Sequence, residues 1–270
     1  MKKIGLILGC TLIMSMNVKA DEFIGIIKPI EDIRVSVSLD GIVNNIFVKE
    51  GSYVKKGQKV LQLENRLQEL ELNRRKVIWR DKAQLNAAIK NRKIQKSLLD
   101  STRELYDQTQ AVSRDEISML ESKYHILNGD IKMRQENEKK EKIEYHIAKQ
   151  LLSKYTITSP ISGIVTELGV QKGEWAKTGK PFIRLVNSKS CYIDIHINEA
   201  YSSRLKVTDK IDFTVKTKNM TANKNGEITF ISPVADMASG LVRIKIEFSN
   251  IKDRITPGLS ATINIDALSK

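Results

Sequence analysis

Cysteine is almost missing from this 270-residue chain, which holds only Cys10 and Cys191. With Cys10 inside an N-terminal leader, one thiol remains and no intramolecular disulfide can form. The fold must then rest on burial and backbone pairing. Long apolar runs are missing as well. Ile4 to Met16 is mostly apolar, but it falls short of the roughly 20 residues that span a bilayer, and no later segment is apolar enough to cross one. Aromatic residues make up 6 %, so the stacking platforms of single-strand nucleic-acid binders are scarce. The three histidines, His125, His146 and His196, are too scattered to converge on a metal, since the first two lie far apart in one helical stretch. No Ser-His-Asp order, HExxH or Cys-Xaa-Xaa-Cys motif occurs. Neither an enzyme nor a bound cofactor or metal is expected.

What is present begins with that leader. Met1-Lys2-Lys3 is basic, Ile4 to Met16 is apolar, and Val18-Lys19-Ala20 offers small or apolar residues where a signal peptidase reads. Residues 1–20 read as a cleaved export signal. Leu8-Gly9-Cys10 faintly resembles a lipobox, which leaves lipidation of Cys10 as the rival processing route. The net charge of +13 drops by three to +10 once Lys2, Lys3 and Lys19 leave. Export argues against nucleic acid, so the basic balance reads as solvated surface with attraction to a membrane face.

A repeat organises the mature chain. Gly41-Ile42-Val43, Val48, Gly51, Lys55, Gly57 and Leu63 recur at one constant offset as Gly163-Ile164-Val165, Val170, Gly173, Lys177, Gly179 and Leu185. Short apolar runs are separated by Gly-containing turns, and Gly51, Gly57, Gly173 and Gly179 supply the positive-φ positions that such turns require. One half alone would leave its apolar face open, whereas two interleaved halves close into a sandwich.

Between Asn65 and Lys154 glycine and proline all but vanish, with Gly129 the exception. In the second half of this stretch Ile117, Leu120, Tyr124, Leu127, Ile131, Arg134, Glu138, Glu141, Tyr145, Ala148, Leu152 and Tyr155 step by three and four. The first half is looser, with Ile78, Leu85, Leu99 and Tyr106 separated by multiples of seven. The pattern predicts an antiparallel coiled-coil hairpin with arms of ~44 residues and ~65 Å. Its turn should fall around Gln108 to Ser113, where Ser113 and Glu116 make a capping-box pair. Upstream, Phe23 to Val37 reads as two short strands broken at Pro29. Downstream, strands at Tyr192–Ile197, Ile211–Val215, Gly226–Pro233, Leu241–Phe248 and Ala261–Ile265, with a short helix after Asn198, predict a small β-barrel.

The order of leader, half, hairpin, half and barrel resembles the periplasmic adaptors, or membrane-fusion proteins of the HlyD type. The split G-I-V…V-x-x-G…V-x-x-G halves look like their biotinyl-lipoyl-like domain. Tyr155-Thr-Ile-Thr-Ser-Pro-Ile-Ser-Gly-Ile-Val resembles its re-entry segment, and Gly226-Glu-Ile…Ile231-Ser-Pro with Pro257-Gly258-Leu259 resembles its barrel. The implied fold is α+β, mainly β: signal peptide 1–20, N-terminal β segment 21–40, lipoyl-like half 41–64, hairpin 65–155, second half 156–188 and barrel 189–268. The resemblance implies a non-enzymatic adaptor in the periplasm, peripheral to the inner membrane. It would link an inner-membrane transporter, of ABC or proton-driven efflux type, to an outer-membrane channel of the TolC type. Self-association into a ring of six is implied too.

Duct-binding relatives carry an arginine, a leucine and a serine at the hairpin tip. Arg103, Leu105 and Ser113 are of the right types at a compressed spacing, and Gln108 lies between them. The sequence ends at Lys270, after the barrel, so no C-terminal half of a membrane-proximal domain is expected and the transporter class stays open. Two other readings share parts of this pattern. A lipoate or biotin carrier needs a lysine at the turn joining the halves, and here a hairpin replaces that turn. An exported scaffold of the same fold would need no transporter.

Overall fold

The computed structural model describes residues 22–216, 221–251 and 255–264. The leader and Ile265 lie outside them. In chain order, β1 (Glu22–Ser36) precedes β2 (Gly41–Ile46), β3 (Tyr53–Val54) and β4 (Lys59–Leu63). The helices α1 (Arg66–Arg80), α2 (Ala83–Thr109) and α3 (Arg114–Ser153) follow. Next come β5 (Thr156–Thr158), β6 (Gly163–Leu168), β7 (Trp175–Ala176), the long β8 (Pro181–Asn198) and α4 (Glu199–Ser202). The chain closes with β9 (Lys210–Lys216), β10 (Thr221–Ile231), β11 (Leu241–Ser249) and β12 (Ser260–Asn264). Two compact units result, residues 34–184 and residues up to 33 with 185 onward, the division falling inside β1 and β8.

In the first unit the halves interlock as their repeat demands. β2 pairs with β7 through Gly41↔Ala176 and Ile42↔Trp175, while β3 pairs with β6 through Val54↔Gly163 and Tyr53↔Ile164. Each half therefore completes the other with equivalent residues. The turn bonds repeat in the same way. Gly51 N donates to Val165 O and Gly173 N to Val43 O, both at 2.8 Å. Gly51 and Gly173 hold φ of +80° and +88°, and Gly57 and Gly179 are positive as well. A Cβ at these positions would meet nothing within 4 Å, so the glycines are required by backbone conformation and not by space. Val43, Val54, Leu61, Leu63 and Val165 fill the centre, fully or almost fully buried.

The second unit is a six-stranded closed barrel in the order β1-β12-β9-β10-β11-β8, with β8 returning to β1. Its strands alternate: Ile211, Phe213 and Val215 of β9, and Ile244, Ile246 and Phe248 of β11, point inward to a core with Ile193, Ile195, Ile197 and Ile228. Pro29 does not break β1, contrary to the two strands expected there. The ladder to β12 occupies Glu22–Ile26 and ends before the proline, so the missing N–H removes none of its bonds.

Candidate functional site

The hairpin grows directly from the interlocked halves. β4 ends at Leu63, α1 begins at Arg66, and Leu63 N donates to Tyr155 O at 2.8 Å where the chain returns. The return arm, α3, is one helix of 40 residues. Every residue of its heptad is less exposed than the residues on its outer face, and Ile131 is buried.

The outgoing arm is interrupted. Arg80 ends α1, Asp81 is extended (ψ 105°) with its carboxylate accepting from Ala83 N, and α2 restarts after Lys82. The inward positions slip by one residue across this break. Gln68, Leu72, Arg75 and Trp79 serve α1, while Leu85, Ala88, Arg92, Gln95, Leu99, Thr102 and Tyr106 serve α2. Ile78, expected inward, is therefore displaced, and Trp79 instead stacks on Tyr145 with centroids 5.0 Å apart. The three polar heptad residues of α3 face the interruption. Glu138 pairs with Lys82 at 2.6 Å, and Arg134 donates to Gln84 at 2.7 Å and to Asp130 at 2.9 Å. With Glu141 they line a cavity of about 260 Å³.

At the far end, Gln110 adopts the left-handed conformation (φ +53°) and its N–H caps Tyr106 O. Ser113 Oγ accepts from Glu116 N at 3.1 Å and starts α3. Arg114 Nε donates to Tyr106 Oη at 2.8 Å, tying the arms beneath the turn. Of the other tip candidates, Arg103 is engaged across the hairpin by Glu121, which raises its pKa. Gln108 donates to Glu104 at 3.2 Å, and Leu105 is exposed on the flank opposite Arg103. Arg103, Leu105 and Ser113 thus do not converge on one spot. The segment Gln110–Ser113 makes the turn itself, with Gln110, Ala111 and Ser113 exposed and Val112 half-buried.

In the barrel, Asp194 accepts from Arg243 Nε and Nη2 (2.7 and 2.8 Å) and from Lys28 Nζ (2.6 Å). These bonds, Arg243 first, hold its carboxyl at about 2. The trio ties β1, β8 and β11 together. Nothing in the sequence pattern announced it, because the three residues come from distant strands.

The model of the RND MFP barrel-sandwich hybrid domain matches residues 31–188, and that of the CusB-like β-barrel domain matches residues 190–269. The chain belongs to the RND membrane fusion protein family. Among solved structures, this membrane fusion protein resembles MacA from Actinobacillus actinomycetemcomitans with a TM-score of 0.76 and 24 % identity, over 90 % of this chain and 77 % of that one. It also resembles the membrane fusion protein Spr0693 from Streptococcus pneumoniae R6, with a TM-score of 0.61 and 15 % identity over 89 % and 98 % of the two chains. An uncharacterized protein of Haemophilus influenzae (strain ATCC 51907 / DSM 11121 / KW20 / Rd) is 21 % identical over 224 residues, 83 % of this chain. The chain spans about half, 51 %, of that relative's length. At these identities the likenesses establish the fold. Among the described residues no helix is long and apolar enough to cross a membrane.

Proposed function

We propose that this membrane fusion protein acts as a periplasmic adaptor, joining an inner-membrane transporter to an outer-membrane exit duct for efflux or secretion. The hairpin carries the reading. A small sandwich whose halves are sewn together by equivalent bonds holds a 40-residue helix and its partner out from the body, ending in a capped turn. That architecture supports an end-on contact between Gln110–Ser113 and the helical tips of a duct such as the TolC type. The barrel contributes the surface toward the transporter, of ABC or proton-driven type, and several copies form a ring, of six in this reading.

The test is in-cell photocrosslinking from a probe at Ala111, an exposed residue beside the Ser113 cap that leaves the cap intact. Capture of an outer-membrane channel is expected. Capture of nothing but other copies of the chain would overturn the duct assignment.

A further inference from the structure

The inward row of α2 does not stop at the break in the outgoing arm. Continued backward from Leu85 by the same threes and fours, it reaches Asp81, Ile78, Arg74, Glu71 and Leu67. The structure instead turns Trp79, Arg75, Leu72 and Gln68 toward α3, each one residue further along. Two rows on α1 therefore compete for one seam, about 100° apart around the helix. The outer one is no less apolar than the inner. Leu67, Leu70 and Ile78 lie on that side at 74 %, 51 % and 37 % exposure, against Leu72 and Trp79 facing in.

The packing of the inner row leaves two gaps. Nε1 of Trp79 is buried and, among the described residues, is the one such side-chain atom with no hydrogen-bond partner. A buried donor left unpaired destabilises the arrangement that holds it. Toward the base, an apolar-walled cleft of about 200 Å³ opens between α1 and α3, bounded by Leu67, Gln68, Glu71, Ala148 and Leu151. Leu67 stands at its edge, mostly in water. The ion pairs suit either row. Glu71 accepts from both Arg74 and Arg75 at 2.8 Å, Arg75 reaches Glu144 across the seam, and Arg74 feels that same charge. Moving round by one residue exchanges one arginine for the other.

We propose that α1 has a second register on α3, one residue round, in which Asp81-Lys82 becomes helical and the outgoing arm runs unbroken from Arg66 to Thr109. Leu67 then enters the cleft, Ile78 takes the seam, and Trp79 turns outward and gives its N–H to water. The rotation is taken up at Asn65, whose side chain caps no backbone N–H of α1. Asp81 sets the balance. In the continuous row it would point at Glu138 and Glu141, which line the same cavity, so like charges oppose the second register. The joint contains neither glycine nor proline, and nothing else in its sequence forbids helix. Two discrete packings of one element make a switch, here a swivel of the hairpin's base while α2 and the tip keep their register. The inference concerns the hairpin alone and rests on no partner of the protein.

The test uses the full-length chain with Trp175→Phe, which leaves Trp79 as the single tryptophan. Asp81→Ala with Lys82→Ala, both at exposed positions, supplies a joint of strong helix formers without the opposing charge. Trp79 emission should shift to the red, acrylamide should quench it more strongly, and the far-UV helix signal should rise. Adding Leu67→Asp should reverse the emission shift, because that site is open in the first register and inside the cleft in the second. Unchanged Trp79 emission and quenching in the joint variant would overturn the proposal. So would an exposed Trp79 that Leu67→Asp does not reverse, or a loss of helix signal, since either means a frayed α1 and not a repacked one.

Discussion

The barrel and the hairpin are stabilised in opposite ways. Among the described residues the barrel buries sixteen in one continuous cluster, most of them isoleucine, phenylalanine or valine at 0–2 % exposure. Along the hairpin's three helices only Ala88, Gln95, Leu99 and Ile131 are buried. A closed sheet removes one face of every strand from water, whereas two helices side by side hide only a stripe. The barrel should therefore respond to substitution as one cooperative body, and the hairpin turn by turn.

The largest effect should come from the barrel core. Ile195→Ala removes a fully enclosed side chain and should cost about 2–5 kcal/mol, read as a drop in the melting temperature of the whole barrel. A loss confined to one strand in hydrogen exchange would break the contrast. Next is Asp194→Asn, which leaves Lys28 and Arg243 without their shared anion. Both cations remain partly in water, so the expected cost is about 2 kcal/mol. The sign with pH follows from the lowered carboxyl value. Asp194 stabilises the fold at neutral pH and loses that contribution as pH falls from its ordinary value near 3.8 toward about 2. The variant's melting temperature should accordingly change less than the wild type's over that acid range.

Gly173→Val should cost about 1–2 kcal/mol in the interlocked halves, because φ +88° is strained for a β-branched residue while the space around it is free. Gly173→Ala should recover part of the loss, and an unshifted melt for Val would remove the conformational argument. Smallest is Ser113→Ala. Loss of the cap should cost about 1 kcal/mol, felt as faster exchange in the first turn of α3 with the barrel melt unchanged.

The interlocked halves were legible because a repeat at constant offset places equivalent residues in equivalent strands, and Gly51, Gly57, Gly173 and Gly179 marked the turns. The return arm was legible because its heptad never slips. The outgoing arm was not. Asp81-Lys82 carries neither glycine nor proline, so nothing local announces the break, and Ile78 looked like the natural core residue. Two signals pointed to it: the one-residue slip between Trp79 and Leu85, and the cluster Arg134, Glu138 and Glu141 on the facing helix. Pro29 misled in the other direction, because whether a proline breaks a strand depends on which ladder needs its N–H. At the tip, the resemblance to duct-binding relatives picked out Arg103, Leu105 and Ser113 by residue type. The structure gives two of them work inside the hairpin, a cross-arm ion pair and a helix cap.

The equivalent bonds between the halves also join residues far apart in the chain, which bears on how the chain can fold. Gly51 cannot reach Val165, nor Gly173 reach Val43, until the long intervening segment has been made and its ends brought together. Closing so long a loop from a random chain is slow. Contacts between α2 and α3 start at the turn, between near neighbours such as Tyr106 and Arg114, and each next pair toward the base is brought close by the one before. Zipping down the arms would bring Leu63 to Tyr155, whose bond stands at the base of the hairpin, and so bring the two halves together. The projecting element is then also the clasp that lets the sandwich form, and a chain with a damaged turn would be late to fold before it was ever unable to dock.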